Sequence, residues 1–347
     1  MRRISSICAA AMAAALASTA AHAADPIAAA YADKQLKLIV SSSPGGGYDL
    51  YARTIARHMG SHLPGDPTIV PQNMPGAGGI KAANYLYTVA PKDGLTIGSL
   101  QNTVPFEPMY GTKQASFDPG GFNWLGSPTK EVAFLLVWHA VPVDSLADAK
   151  GHQFILGSSG AASTPSFYAR VLATVFNLNI KLINGYPGQT ESFLAMEKGE
   201  NEGYSSTFWS SLKTAHPDWI ADRKIKILVQ YALEPHPELK DVPFALDIIA
   251  NPDDRQLMEV ASAPLSLGRP FVAPPGVADE RVAALRSALT ATFDDPAFKA
   301  ECATVRLECD APVSGAETQA IIARMYASPA PVLTRLRHIY EAGTATN

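Results

Sequence analysis

The sequence predicts an α/β fold built as two lobes, and three observations carry that expectation. Apolar, β-branched runs alternate with amphipathic helical patterns in the N-terminal part, a β-α-β-α-β order that implies a parallel sheet. A second α/β series starts near residue 132. With 347 residues, the chain also exceeds the length at which one hydrophobic core usually keeps growing.

The first series opens with Leu36-Lys37-Leu38-Ile39-Val40, a buried strand by its continuous apolar character. A glycine loop follows, Ser43-Pro44-Gly45-Gly46-Gly47-Tyr48-Asp49, and then Tyr51, Ala52, Ile55, Ala56 and Met59 recur at helical spacing. Thr68-Ile69-Val70 repeats the strand, Asn73-Met74-Pro75-Gly76-Ala77-Gly78-Gly79 repeats the loop, and Ile80, Ala83, Leu86, Tyr87 and Ala90 repeat the helix. Pro91-Lys92-Asp93-Gly94 turns the chain into a third strand, Leu95 to Leu100. Residues 102 to 126 read as loop.

The second series begins with the apolar run Val132 to Trp138, then the strand Phe154-Ile155-Leu156. Gly157-Ser158-Ser159-Gly160-Ala161-Ala162-Ser163-Thr164 leads into a helix carrying Tyr168, Val171, Leu172, Val175 and Phe176. Asn179 to Ile183 and Lys226 to Gln230 are further strands. Leu265 to Ala273 returns the chain, and helices follow, one started by Asp295-Pro296 and one by the capping box Ser314 to Glu317. The expected division is 24–131 with 263–347 as the first lobe and 132–262 as the second.

Arg2 and Arg3, an alanine-rich apolar stretch and the small-x-small site Ala21-His22-Ala23 form a secretory signal peptide over residues 1–23. Its apolar run is shorter than a membrane span needs. Export to the periplasm through cleavage of this segment is the expected address. Cleavage removes two of the 28 basic side chains and none of the 32 acidic ones, so nucleic acid is a poor partner. Cys302 and Cys309 are the cysteines left after cleavage, and an oxidising compartment makes a disulfide between them plausible.

The two proline-glycine loops are the best clue to function. Helix N-terminal N–H groups have no partner inside the helix, so a glycine-rich strand-to-helix turn offers donors that an anion can approach closely. The Gly157–Thr164 loop adds the hydroxyls of Ser158, Ser159, Ser163 and Thr164 from the other lobe, and together the three loops suggest a two-sided clamp for a carboxylate or phosphate. Plain capping explains Ser163, and capping is the preferred role for Asp49 at the start of its helix. Tyr48 and Trp209 are candidates to line the cleft or to fill the core. Ser206, beside Ser205 and Thr207, is a further source of hydroxyls.

Catalytic readings fare badly. The nearest approach to G-x-S-x-G, Gly157-Ser158-Ser159-Gly160-Ala161, fails at its last position, and a hydrolase built on Ser159 or His139 would lack a base beside it. No G-x-x-x-x-G-K-[ST] motif is present. His58 and His62 are four apart on a helix, but no intervening glutamate or third ligand accompanies them, so a polar helix face is the simpler reading. No catalytic residue, metal or cofactor is expected.

Pro44-Gly45-Gly46-x-x-Asp49 with Ala52-Arg53, Asn73-x-Pro75-Gly76-Ala77-Gly78-Gly79, and Pro91-x-Asp93-Gly94 resemble, in order and spacing, the receptor components of tripartite tricarboxylate transporters, of TctC or Bug type. Gly157-Ser158-Ser159-Gly160 and Phe271-x-Ala273-Pro274-Pro275-Gly276-Val277 extend the resemblance over the mature chain. The resemblance implies a type II periplasmic-binding-protein architecture that closes on a di- or tricarboxylate or an aromatic carboxylate and delivers it, as a monomer, to membrane transporter subunits. Sensing for a signalling kinase is the alternative outlet. Carried onto this chain, the family's binding positions are Pro44, Gly45, Gly46, Tyr48, Asp49, Asn73, Gly76, Gly78, Ser158, Ser159 and Ser163. Tyr48, where relatives often carry a small hydroxyl residue, and Asn184-Gly185-Tyr186-Pro187-Gly188 depart from the family pattern. Tyr48, with Phe106 and Trp209, suggests a ring-bearing acid.

Overall fold

The computed structural model describes residues 25–160 and 163–344, so the segment read as a signal peptide lies outside the described residues. Among the described residues eleven strands form two sheets. The first contains β1 (Gln35–Val40), β2 (Thr68–Asn73), β3 (Thr96–Ser99), β4 (Asn123–Ser127), β10 (Phe271–Ala273) and β11 (Val313–Ser314), in the spatial order β11-β4-β10-β3-β1-β2. β1 runs parallel to β2 and β3, with Val40 opposite Asn73 and Ser99, while β10 is antiparallel to β3 and β4. The second contains β5 (Ala133–Trp138), β6 (Gln153–Gly157), β7 (Asn179–Ile183), β8 (Gly203–Phe208) and β9 (Ile225–Tyr231), ordered β7-β6-β8-β5-β9. The fold is thus α/β in two lobes. The chain passes from the first sheet to the second between β4 and β5 and returns ahead of β10.

β1 buries Leu36, Leu38, Ile39 and Val40 between helices on both sides, as a strand inside a parallel sheet requires. Tyr51, Ala52, Ile55 and Met59 of the helix Gly47–Met59 lie in that core, at the spacing the sequence displays. Ser314 caps the helix Gly315–Tyr326 by accepting the Glu317 N–H at 3.1 Å, and Asp295 caps Pro296–Thr304 through Ala297 N–H at 2.8 Å. Cys302 and Cys309 are joined in a disulfide.

Three features depart from the sequence reading. β4 overlaps the end of the stretch read as loop; Asn123-Trp124-Leu125-Gly126-Ser127 shows no alternation because all but Asn123 are buried, between β10 and β11. Asp49 does not cap its helix. The helix begins two residues earlier, at Gly47, and the Asp49 side chain folds back onto the preceding loop. The last helix, Ala330–Thr344, grouped with the first lobe by sequence, packs on Thr164–Phe176 and Pro252–Ser262, where Arg170 Nε donates to Ile339 O at 2.9 Å.

Candidate functional site

Loops leaving the carboxyl ends of β1, β2 and β3 face those leaving β6, β7 and β8 across a cleft of about 1070 Å3. Strand ends of this kind are where open α/β sheets place ligands. Four helices begin on the cleft wall: Gly47–Met59, Ile80–Thr88, Thr164–Phe176 and Gln189–Glu197. Their N-cap residues, Gly46, Gly79, Ser163 and Gly188, make no side-chain capping bond, and all four line the cleft. Two come from each lobe. In Ile80–Thr88 the first N–H groups are taken by Ala77 O and Gly76 O, but the first-turn N–H groups of the other three helices and the dipoles of all four make the cleft favourable for negative charge.

The turns are built for this. Gly76 and Gly78 adopt φ of +141° and +63°, values that L side chains rarely take, which lets the loop bend over the start of its helix. In the first loop the Asp49 carboxylate accepts from Gly45 N–H at 2.8 Å, Arg53 Nε at 2.9 Å and Asn73 Nδ2 at 2.8 Å. Asn73 also donates to Ser42 O at 2.9 Å and accepts from Arg53 Nη2 at 2.8 Å. Burial opposes ionisation of Asp49, but the bonds from Arg53, Gly45 and Asn73 hold its carboxyl below the ordinary range. Asp49 and Asn73 therefore lock the two proline-glycine loops together behind the cleft.

Of the candidate residues, Pro44, Gly46, Tyr48, Gly76, Gly78, Ser159, Ser163 and Ser206 line the cleft. Asp49, Asn73 and Ser158 lie behind that wall, and Gly45 is exposed on its loop outside it. Ser158 is fully buried and its Oγ meets Ser163 Oγ at 2.7 Å and Ser166 Oγ at 2.5 Å, so it shapes the loop from which Ser159 reaches the cleft. Ser163 is the N-cap residue by position, yet its hydroxyl donates to Gly160 O at 2.6 Å instead of capping the helix. Trp209 does not reach the cleft: its ring packs 6.1 Å from Phe134 and its Nε1 donates to Glu238 at 2.7 Å. Phe106 is buried in the core. His58 and His62 pair with Glu301 at 2.7 Å and Asp295 at 3.0 Å, and no group able to hold a metal occurs among the described residues.

Tyr48 lies on the floor. Its hydroxyl donates to Asn102 Oδ1 and accepts the Asn102 N–H, both at 3.0 Å, and burial pushes its phenol up to about 12. Its ring covers a residue that sequence reasoning missed. Arg269, on the return crossing, places its guanidinium carbon 4.5 Å from the Tyr48 ring, 5.0 Å from Tyr51 and 4.8 Å from Phe208. Its Nε binds Glu131, on the outward crossing, at 2.8 Å, and Ser210 donates to both Glu131 oxygens at 2.9 Å. Both side chains are almost fully buried. Burial pushes the Glu131 carboxyl upward and Arg269 opposes that shift. A lone arginine in Gly268-Arg269-Pro270 carries no local signal of this pairing.

The family model for the tripartite tricarboxylate transporter family receptor, TctC, matches residues 51–327. The chain belongs to that family. Receptors of the TctC family are periplasmic solute-binding proteins, among them a TctC solute-binding protein from Polaromonas that shares the fold. This TctC receptor is 26% identical over 294 residues, 80% of each chain, to the UPF0065 protein in the gbd 5' region of Cupriavidus necator. Its fold is shared with an R. palustris protein solved with adipate, at a TM-score of 0.68 and 19% identity over 90% of this chain and 98% of that one. MatC from Rhodopseudomonas palustris with bound malate superposes at a TM-score of 0.66 and 18% identity, over 89% of this chain and 99% of that one. The periplasmic binding protein BugD does so at 0.66 and 18%, over 90% and 99%.

Proposed function

We propose that this receptor is exported by cleavage of residues 1–23, captures a small organic carboxylate between its lobes as a monomer, and delivers it to the membrane subunits of a tripartite tricarboxylate-type transporter. The observation that carries the reading is the set of four helix N-termini without a side-chain cap, two from each lobe, whose first residues line one cleft. A carboxylate accepts N–H donors from both lobes only when they are close together, so binding shifts the population toward a closed form. Membrane partners would read that closed form. The adipate and malate in two proteins of the same fold fit the proposed ligand class of di-, tri- or aromatic carboxylates.

Thermal unfolding of the mature protein against aliphatic and aromatic mono-, di- and tricarboxylates, with sugars and amino acids as controls, tests this. A specific acid at a hundredfold excess over Kd adds about 2.7 kcal/mol of stability. A midpoint raised by sugars or amino acids and by no acid would refute the carboxylate reading.

A further inference from the structure

The helix starts supply dipoles, which attract anions and neutral carbonyls alike. A full positive charge separates the two. Lys113 and Arg269 are the cations that line the cleft among the described residues, and Lys113 is exposed whereas Arg269 is buried in the floor. We propose that Arg269 is the residue that selects a ligand carboxylate, binding it beside the N-terminus of the helix Gly47–Met59; the inference rests on the carboxylate reading above.

The Arg269 donors are unequally used. Nε is held by Glu131, and Nη2 donates to Ser211 Oγ at 2.9 Å. Among the described residues Nη1 bonds no carboxylate or carbonyl oxygen, and the guanidinium lies within reach of the Tyr48 hydroxyl. The guanidinium reaches the helix start through a gap at Gly47: a Cβ there would lie 3.1 Å from Nη1 and Nη2 and 2.8 Å from Ser211 Oγ. The Gly47 N–H is one of the unfilled first-turn donors. A second group points the same way. Asn102 is 1% exposed and lines the cleft, its Oδ1 is fixed by the Tyr48 hydroxyl, and its Nδ2 has no partner. A buried donor without a partner is costly, and a ligand oxygen would remove that cost. Tyr48 thus stands between two donors, one at its hydroxyl end and one under its ring. Glu131 offsets the Arg269 charge, so the guanidinium is not left as an unpaired buried ion.

The test is isothermal titration of adipate, malate and benzoate, and of adipamide as the uncharged counterpart of adipate, into three proteins. They are the unmodified chain, Glu131→Gln, and the isosteric neutral pair Glu131→Gln/Arg269→Met. With the competing anion gone, Glu131→Gln is expected to bind the preferred acid about tenfold tighter, with adipamide unchanged. The double variant, which leaves no buried charge unpaired, is expected to unfold cooperatively and to bind the acid at least about thirtyfold more weakly. An acid that binds all three proteins alike, or binds folded Glu131→Gln more weakly than the unmodified chain, overturns the role of Arg269 and leaves the receptor reading standing. Failure of every acid to bind the unmodified chain refutes both. Should Glu131→Gln not fold, the double variant decides: unmodified affinity overturns the proposal and its loss supports it.

Discussion

Lys213 Nζ lies 2.6 Å from a Glu308 carboxylate oxygen, joining the helix that follows β8 in the second lobe to the loop closed by the Cys302–Cys309 disulfide beside the first. His236 approaches the same carboxylate at 3.4 Å, Thr214 Oγ1 donates to Arg306 O at 2.7 Å, and Tyr51 OH donates to Glu308 O at 2.8 Å. Nearly every contact of this bridge falls on the short stapled loop. Replacing both cysteines by serine is expected to cost about 2 kcal/mol, the scale for a loop this small. Thermal unfolding with and without reductant checks it; a midpoint unchanged on reduction would contradict a structural role for the staple.

Asp49 ties both proline-glycine loops together, and all three groups bound to its carboxylate are donors. Asp49→Asn turns one acceptor into a donor and should cost about 1–2 kcal/mol at neutral pH. Its pKa is depressed in the folded chain, so its contribution is fully present above the ordinary carboxylate value of about 4 and is lost as pH falls through the lower folded value. Denaturant midpoints measured from neutral pH downward should fall less steeply in the variant than in the unmodified chain.

Glu107 shows the opposite sign. It is 7% exposed, accepts from Thr112 Oγ1 at 2.6 Å and Tyr340 OH at 2.8 Å, and has no ion-pair partner among the described residues. Burial raises its pKa, so its contribution to stability is greatest below the ordinary glutamate value and declines as pH rises through the raised one. Glu107→Gln keeps an acceptor for both hydroxyls and removes the charge. It is expected to gain on the order of 1 kcal/mol at the high end of that range, and a variant no more stable than the parent at pH 8 would contradict the account.

Gly47→Ala tests the close approach of the first helix to the cleft floor. An added methyl would meet Ser211 Oγ at 2.8 Å and the guanidinium at 3.1 Å. Overpacking should cost about 1–3 kcal/mol and weaken acid binding measured by titration. Unchanged affinity would show that ligand does not use this gap.

Local pattern carried much of the architecture. Leu36–Val40 and Thr68–Val70, each followed by a glycine turn and a 3.6-residue apolar period, are strand and helix in the structure; β1, inside the sheet, is buried on both faces, whereas β2, at its edge, buries Ile69 alone. β4 escaped because a short strand between two antiparallel neighbours, interrupted by Gly126, has neither period. The cleft was legible where glycine and serine mark helix starts. Its floor was not: Glu131 and Arg269 are 138 residues apart, and each becomes informative only when the two crossings lie side by side. Trp209 misled for a related reason, since an aromatic residue at a strand end fills a core as readily as it lines a cleft.

Binding of a carboxylate as an anion, through donors of both lobes, is open to direct measurement. Calorimetric titration of the mature chain with the acid that most raises its unfolding midpoint, and in parallel with the matching amide, tests it most directly. The account predicts saturable one-to-one binding of the acid and none of the amide over the same concentrations. Equal binding of acid and amide, or binding of neither alongside saturable binding of a sugar, would contradict it.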